Sequence, residues 1–437
     1  KSIYCSLQRD KKLIVQGGIL MYKKIRIFLM FILFSLVCEA KEIVFLSTQL
    51  NPIEEATAMR NIILKNFSGK VLYKPYNDKE IYSYLAKEKI KPNLIGGLYG
   101  DFMSLKKDNL IINMEDIYKT LGNQNFISKF NEMSKLDTNN HYFIPWMQAT
   151  YVMVANKKSL KYLPKKADIN NLTYDQFIEW GANIYRETGT QKIGFPAGES
   201  GLFHRFLQGY LYPSYTNNMV KKFRTSEAVQ MWTKLKELWY YVTPESLTYS
   251  KMDVPLLSEK VWIAWDHSAR LINVFKQNSN DFISFPAPIG PKGRGYLLVL
   301  AGIGVPVGSP PDKSTIDLIK YLTKDETQLL TMNTVGFFPV VEIKSKINPQ
   351  FENLYSAVLN QSKSNKSIVS LVPTNLGVKS GDFNNTYLRT FSQIVLRDKN
   401  IEVVLKEQGK KLQEIFNESG AYIWIPDKMK SGAVIIE

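Results

Sequence analysis

The three histidines, His141, His204 and His267, lie far apart in the chain and lack the spacing of metal ligands. There is no Gly-x-Ser-x-Gly elbow, no Walker phosphate loop and no His-Glu-x-x-His. Gly293-Arg294-Gly295 is too short for a phosphate loop. Glu54 with Glu55, and Asp253 with Glu259, offer the paired carboxylates that glycoside hydrolysis requires. Adjacent glutamates in the first turn of a helix are more simply partners of its dipole. The only cysteines, Cys5 and Cys38, stand near the start of the chain. No metal and no cofactor is expected.

Binding chemistry is better represented. Aromatic residues make up 12% of the chain, and several stand in polar loops rather than in periodic core stripes. They include Trp146, Tyr151, Phe203, Tyr210, Tyr212, Tyr215, Trp262, Trp265, Phe337 and Phe338. A flat ring suits the apolar C–H face of a sugar, and Asp, Asn, Gln, Glu and Arg side chains suit its rim of hydroxyls.

The elements that must position these groups follow a β-α-β-α-β rhythm. Residues 42–46 read as a strand, 52–66 as a helix with Pro52 near its first turn, and 70–73 as a second strand. Residues 77–88 are an amphipathic helix, and 93–100 a third strand running into a glycine-rich turn. This order predicts a parallel sheet covered on both faces, with ligands beyond the carboxyl ends of its strands, at 47–51 and 98–102. Short strands at 142–145 and 151–156 come next, then helices at 174–188, 201–212 and 226–241. Further strands are expected at 261–265, 282–285 and 296–305, and helices at 312–322, 326–334, 351–363 and 399–418. No repeat or low-complexity linker marks a boundary, which fits lobes built from discontinuous segments.

The chain of 437 residues is 45% hydrophobic and 22% charged, the balance of a globular protein. Its net charge of +16 comes partly from residues 1–40, and its lysines are scattered, so no nucleic-acid partner is expected. Residues 21–40 have the three parts of an export signal. Lys23, Lys24 and Arg26 precede an apolar run from 27 to 37, and Cys38-Glu39-Ala40 offers a cut before Lys41. Eleven residues at about 1.5 Å each cover about half of a bilayer core, too little for a spanning anchor. Residues 1–20 lie upstream of a plausible start at Met21. Cys38 is also a candidate for lipid attachment, although Ser35 and Val37 stand where a lipoprotein cut wants Leu and a small residue. After a cut before Lys41 the chain holds no thiol.

A set of ordered motifs gives these features a family likeness. Ile144-Pro145-Trp146 precedes Tyr151-Val152-Met153-Val154-Ala155-Asn156-Lys157; Thr173-Tyr174-Asp175-Gln176 opens a helix; Thr225-Ser226-Glu227-Ala228 opens another. Val261-Trp262-Ile263-Ala264-Trp265-Asp266 follows, then Pro286-Ala287-Pro288-Ile289-Gly290 and Gly302-Ile303-Gly304-Val305-Pro306-Val307-Gly308-Ser309. Leu322-Thr323-Lys324-Asp325-Glu326-Thr327-Gln328 and Gly336-Phe337-Phe338-Pro339 complete the order. From residue 42 to about 339 the chain resembles the family 1 extracellular solute-binding proteins, the maltose-type and glycerol-3-phosphate-type receptors of ABC importers. The last hundred residues match poorly. The family often has Trp two or three residues after the Asp of the fourth motif, where this chain has Ser268 and Ala269.

The resemblance implies an α/β, two-lobed periplasmic-binding-protein fold of type II, with a ligand cleft between lobes joined by crossing segments. Those segments are expected near 149–153, 284–286 and 332–334. One lobe would comprise 41–150 plus 286–331, the other 151–285 plus 332–437. Gln49 and Asn51 would supply hydrogen bonds after the first strand, and Asp101 would orient hydroxyls from the third. Trp146 and Trp265 would be stacking faces, with Asp266 a polar partner. Glu199, His204 and Arg205 would line the second lobe, Gly302 would permit close backbone approach, and Phe337 would close the cleft near the hinge. The implied role is capture of a sugar-like solute outside the cytoplasmic membrane, by a monomer, for the permease subunits of an ABC transporter. The same fold binding glycerol phosphate, a polyamine or a peptide is a second reading, and a secreted glycosidase a third.

Overall fold

The computed structural model describes residues 42–49, 53–88, 91–122, 124–427 and 434–437. The export signal, Cys5, Cys38 and Asn51 lie outside the described residues. The apolar run Ile43-Val44-Phe45-Leu46 forms β1 (Ile43–Ser47), almost wholly buried, as expected of a strand covered on both faces. β2 (Val71–Pro75) and β3 (Leu94–Leu98) pair with it in parallel, one on each side. β4 (Ile144–Ala149) belongs to this first sheet, and β5 (Tyr151–Asn156), β6 (Ile193–Gly194), β7 (Ile263–His267) and β8 (Phe282–Phe285) make a second. β9 (Arg294–Leu297), β10 (Val299–Gly304) and β11 (Ser367–Ser370) follow. The first sheet has the order β2-β1-β3-β10-β4, with β10 antiparallel to both neighbours; the second has the order β6-β7-β5-β8. β9 and β11 form a separate parallel pair.

Helices flank both sheets, and their starts are legible. Thr173 accepts from Gln176 N while the Gln176 side chain accepts from Thr173 N, a reciprocal cap that fixes the start of Tyr174–Thr188. Asn77 and Glu80 do the same for Asp78–Lys87. The region expected as one helix at 201–212 is instead a helix Phe203–Phe206, a wider turn Leu207–Leu211 and a helix Tyr212–Thr216. One core, with Phe45, Met59, Trp146 and Leu318, backs the first sheet. Another, with Val154, Leu271, Phe275 and Leu354, backs the second. A third runs from Phe102 and Phe143 through Tyr151 to Trp232 and Phe416.

The chain passes from the first sheet to the second within one residue. Ala149 still pairs with Val299 of β10, and Tyr151 already pairs with His267 of β7. Between them Thr150 is buried, its hydroxyl donating to Leu297 O at 2.8 Å. Gln361 gives its amide N–H groups to Thr150 Oγ1 (3.0 Å) and Tyr151 O (2.9 Å), and its carbonyl accepts from Ala287 N (2.9 Å). The Tyr210 hydroxyl donates to Tyr151 O at 2.7 Å and accepts from Tyr151 N at 2.9 Å. The return crossing is at Leu298, between β9 and β10, not near 284–286. Residues 284 and 285 are inside β8, paired with β5, and the run read as one strand at 296–305 splits at Leu298 between two different pairings. A third passage lies at Phe338, whose backbone exchanges two hydrogen bonds with that of Gln148, at 2.9 and 2.6 Å.

Gln361→Ala leaves the buried Ala287 N–H without its acceptor and takes one donor each from Thr150 Oγ1 and Tyr151 O at the crossing. It should lower the unfolding free energy by about 2 kcal/mol or more. Urea denaturation is the check, and an unchanged midpoint would rule out a structural role for this network.

Candidate ligand cleft beside the crossing strands

Beyond the carboxyl ends of β1 and β3, Asp101 stands in the first turn of the helix Tyr99–Lys107. Its Oδ2 accepts from Leu98 N at 2.7 Å and from the Thr48 hydroxyl at 3.2 Å, so one carboxylate ties the two strand ends together. Thr48, Tyr99 and Asp101 line a cavity of about 990 Å³. Its opposite wall is the segment 371–377 that follows β11, and Leu298 and Val299 lie on it beside the return crossing. The two walls touch at Gly100, where a Cβ would stand 2.0 Å from Thr374 Cγ2. No side chain fits there.

Around that contact the walls are joined by polar and aromatic groups. Ser104 Oγ donates to Asn375 Oδ1 at 3.0 Å. Lys107 donates to the Tyr422 hydroxyl and lies 4.8 Å over its ring. Trp424 meets the edge of Tyr99 at 6.0 Å and donates from Nε1 to Thr374 Oγ1 at 3.2 Å. A smaller cavity of about 320 Å³, lined by Ser104, Lys107, Thr374, Tyr422 and Trp424, lies beside the first.

A second group assembles just past Thr150. Tyr151 stacks on Trp265 at 4.7 Å, and the His267 ring meets its edge at 4.9 Å. His267 caps the helix Ser268–Asn278: its Nδ1 accepts from Ala269 N at 3.2 Å. Asp266 is fully buried, its oxygens accepting from Met252 N (2.9 Å) and His267 N (2.7 Å), with Arg270 Nη1 at 3.9 Å. Burial raises its carboxyl to about 7, against the opposing pull of Arg270 and the two N–H groups. Burial lowers His204 and His267 to about 3, helped by Arg205 and Arg270 at the first and by Arg270 at the second.

The residues nominated from sequence divide between these places and the core. Asp101 lies on the large cavity. Gln49 is buried and turned onto its own loop, with Nε2 donating to Thr48 Oγ1 at 3.0 Å. Trp146, expected as a stacking face, is fully buried against Phe45 at 5.3 Å. Trp265 is also fully buried, enclosed by Tyr151, Phe206 and Tyr210, so Tyr151 covers the face expected to meet a sugar. Gly302 admits a protein ring: a Cβ there would stand 2.2 Å from Phe143 Cδ2. Phe337 is buried near the crossing and faces the His267 ring at 6.1 Å. His204 and Arg205 sit with Asp266 near Tyr151, while Glu199 is exposed in the preceding turn. Thr48 and Tyr99 fall in the stretches expected beyond the strand ends, 47–51 and 98–102, whereas sequence reasoning missed Arg270, Thr374 and the pair Tyr422 and Trp424. The spacing of Asp266 and Arg270, four apart at a helix start, was an available signal. So was an aromatic pair just after the helix stop at Gly420. Of the carboxylates weighed for hydrolysis, Asp253 accepts from Asn273 and Glu259 pairs with Lys158. Among the described residues no group of three or more His, Cys, Asp or Glu could hold a metal, and no helix is long and apolar enough to cross a membrane.

The mixed sheets and flanking helices are those of the two-lobed periplasmic-binding-protein fold. Residues 81–345 match the bacterial extracellular solute-binding protein family, and the chain belongs to that family. The maltose-bound MalE3 of T. maritima superposes with a TM-score of 0.64 at 16% identity, over 86% of this chain and 99% of that one. The sugar-binding protein MalE from the phytopathogen Xanthomonas citri gives 0.66 at 14% identity, over 86% and 98%. UgpB from Mycobacterium tuberculosis, in complex with glycerophosphocholine, gives 0.64 at 14% identity, over 86% and 98%. At these identities the likeness is one of fold. No curated protein matches the chain.

The buried titrating groups have opposite signatures. Asp266 holds its proton more tightly folded than unfolded, so its contribution to stability falls as pH rises from about 4 to about 7. His204 and His267 hold theirs less tightly folded, so their contribution is present above about 6.5 and is lost as pH falls toward 3. Asp266→Asn removes only the first effect. Its stability relative to the parent should rise with pH between about 4 and 7. Urea midpoints measured across that range check this, and parallel curves would refute it.

Proposed function

We propose that the solute is a carbohydrate, captured by closure of two lobes about the crossing strands and handed to the permease subunits of an ABC importer. The observation that carries this reading is the make-up of the cleft. Tyr82 and Tyr99 offer flat faces, with Trp424 at the adjoining cavity, and Thr48, Asp101, Thr374 and Asn375 offer hydroxyl, carboxylate and amide groups around them. The solute-binding family, and the sugar complexes among proteins of the same fold, support it. We assign 43–149 with 299–335 to one lobe and 151–297 with 337–437 to the other, because β9 pairs with β11 rather than with the first sheet. Contacts made to both walls exist only when the walls are close, so binding draws the hinge equilibrium toward closure. The reading includes export to the periplasm or to the outer face of the cytoplasmic membrane, and binding without turnover.

A panel of mono- and oligosaccharides, read by thermal shift and tryptophan fluorescence, tests this. A bound sugar should raise the melting temperature and perturb Trp424 at the meeting of the walls. Trp424→Ala should weaken binding about tenfold, equivalent to about 1.4 kcal/mol. A flat response to every sugar would end the carbohydrate reading, and release of reducing ends would replace binding with hydrolysis.

A further inference from the structure

The cluster past Thr150 has more positive charge than its surroundings balance. Arg205, on the short helix Phe203–Phe206, is half-buried, and its Nη1 donates to the neutral amide oxygen of Gln208 at 2.9 Å. Among the described residues it forms no ion pair. Arg270 lies one turn into the helix Ser268–Asn278, donates to Ser250 O at 2.7 Å, and stands 3.9 Å from Asp266. Asp266 is already held by two backbone N–H groups. Asp253, the other acid near it, accepts from Asn273, and Glu199 is exposed. Both guanidiniums are close enough to Tyr151 and to His204 for their charges to act there. His267, with Nδ1 occupied by Ala269 N, has its remaining ring N–H free to donate. Ser268 Oγ is buried with no hydrogen-bond partner among the described residues.

A guanidinium partly withdrawn from water with only a neutral partner is costly to keep. Its planar fork suits one class of partner, a carboxylate or phosphate oxyanion bound by two N–H groups. Here two such forks, an imidazole and the first turn of a helix border one tyrosine at the hinge.

We propose that the solute carries an oxyanion, a carboxylate or a phosphate, which docks against Arg205 and Arg270 beside Tyr151. This deepens the carbohydrate reading and rests on it for the rest of the ligand. The anion would supply the counter-charge that the protein withholds, and His267 and the Tyr151 hydroxyl would take its remaining lone pairs. A site so close to Thr150 joins ligand charge to the hinge directly.

Calorimetry with matched probes tests it: glucose against glucuronate and glucose 6-phosphate, galactose against galacturonate, and glycerol against glycerol 3-phosphate. The acidic member of a pair should bind at least tenfold more tightly at low salt. The advantage should shrink as ionic strength rises from about 0.01 M to about 1 M, where the Debye length falls from about 30 Å to about 3 Å. Arg205→Gln and Arg270→Gln should each erase most of the advantage of the acidic member over its neutral partner, and Arg205→Lys should restore part of it. If Arg205→Gln does not fold, Arg270→Gln and the salt titration of the parent decide. Preference for a uronate assigns the anion to a sugar acid, and preference for glucose 6-phosphate assigns it to a phosphorylated sugar. Binding of glycerol 3-phosphate with no sugar keeps this proposal and overturns the carbohydrate reading. Equal or tighter binding of neutral sugars overturns this proposal and keeps that reading. Binding of none of the probes overturns both.

Discussion

Thr150 is the residue on which the two sheets depend. Its neighbour on one side is hydrogen-bonded into the first sheet and its neighbour on the other into the second, so at this crossing the chain changes sheets across a single pair of dihedrals. A bend of that kind would normally expose backbone polar groups. Here they are enclosed and still paired, because Tyr210 and Gln361 each serve the N–H, carbonyl or hydroxyl of residues 150 and 151. The Thr150 hydroxyl also reaches Leu297 O, where the chain returns, so the outgoing and returning crossings are fastened to each other.

The rest of the cleft follows from that fastening. Tyr151 is the first residue of the second sheet, and its ring anchors Trp265 and His267, which places the guanidiniums of Arg205 and Arg270 against the hinge rather than at the far rim. At the rim itself the contacts are of a different kind. Lys107, Ser104 and Tyr99 meet Tyr422, Asn375 and Trp424 through long or planar side chains. Such side chains part and re-form more readily than a buried backbone network. The hinge end is fixed by buried hydrogen bonds, and the open end is closed by contacts that water can replace.

Much of the fold could be read from the chain because local chemistry dictates it. The apolar run at β1, the reciprocal cap at Thr173 and the glycine-rich turn after β3 each state their own structure. The split of 296–305 could not be read, because both halves are apolar and only the partner strands, one of them some seventy residues downstream, decide where the break falls. The site was half legible for a similar reason. Asp101 follows from its place beyond a parallel strand. Trp146 and Trp265 looked like exposed platforms because turn residues flank them, yet burial is set by what packs from elsewhere, Phe45 in one case and Tyr151 in the other. Tyr422 and Trp424 belong to the stretch with the weakest family likeness, and only the tertiary fold carries them to Tyr99 and Lys107.

Gly100 gives the cleft a mechanical limit. With hydrogen in place of a methyl group, the helix Tyr99–Lys107 comes into van der Waals contact with Thr374, and the backbone at that point is as near as two walls can come. Any larger residue would act as a doorstop, holding the jaws apart by about the thickness of the added group. The approach of the walls at this point is therefore limited by one missing side chain. On the proposed reading, solute size and solute chemistry are governed at different residues, the first of them at residue 100.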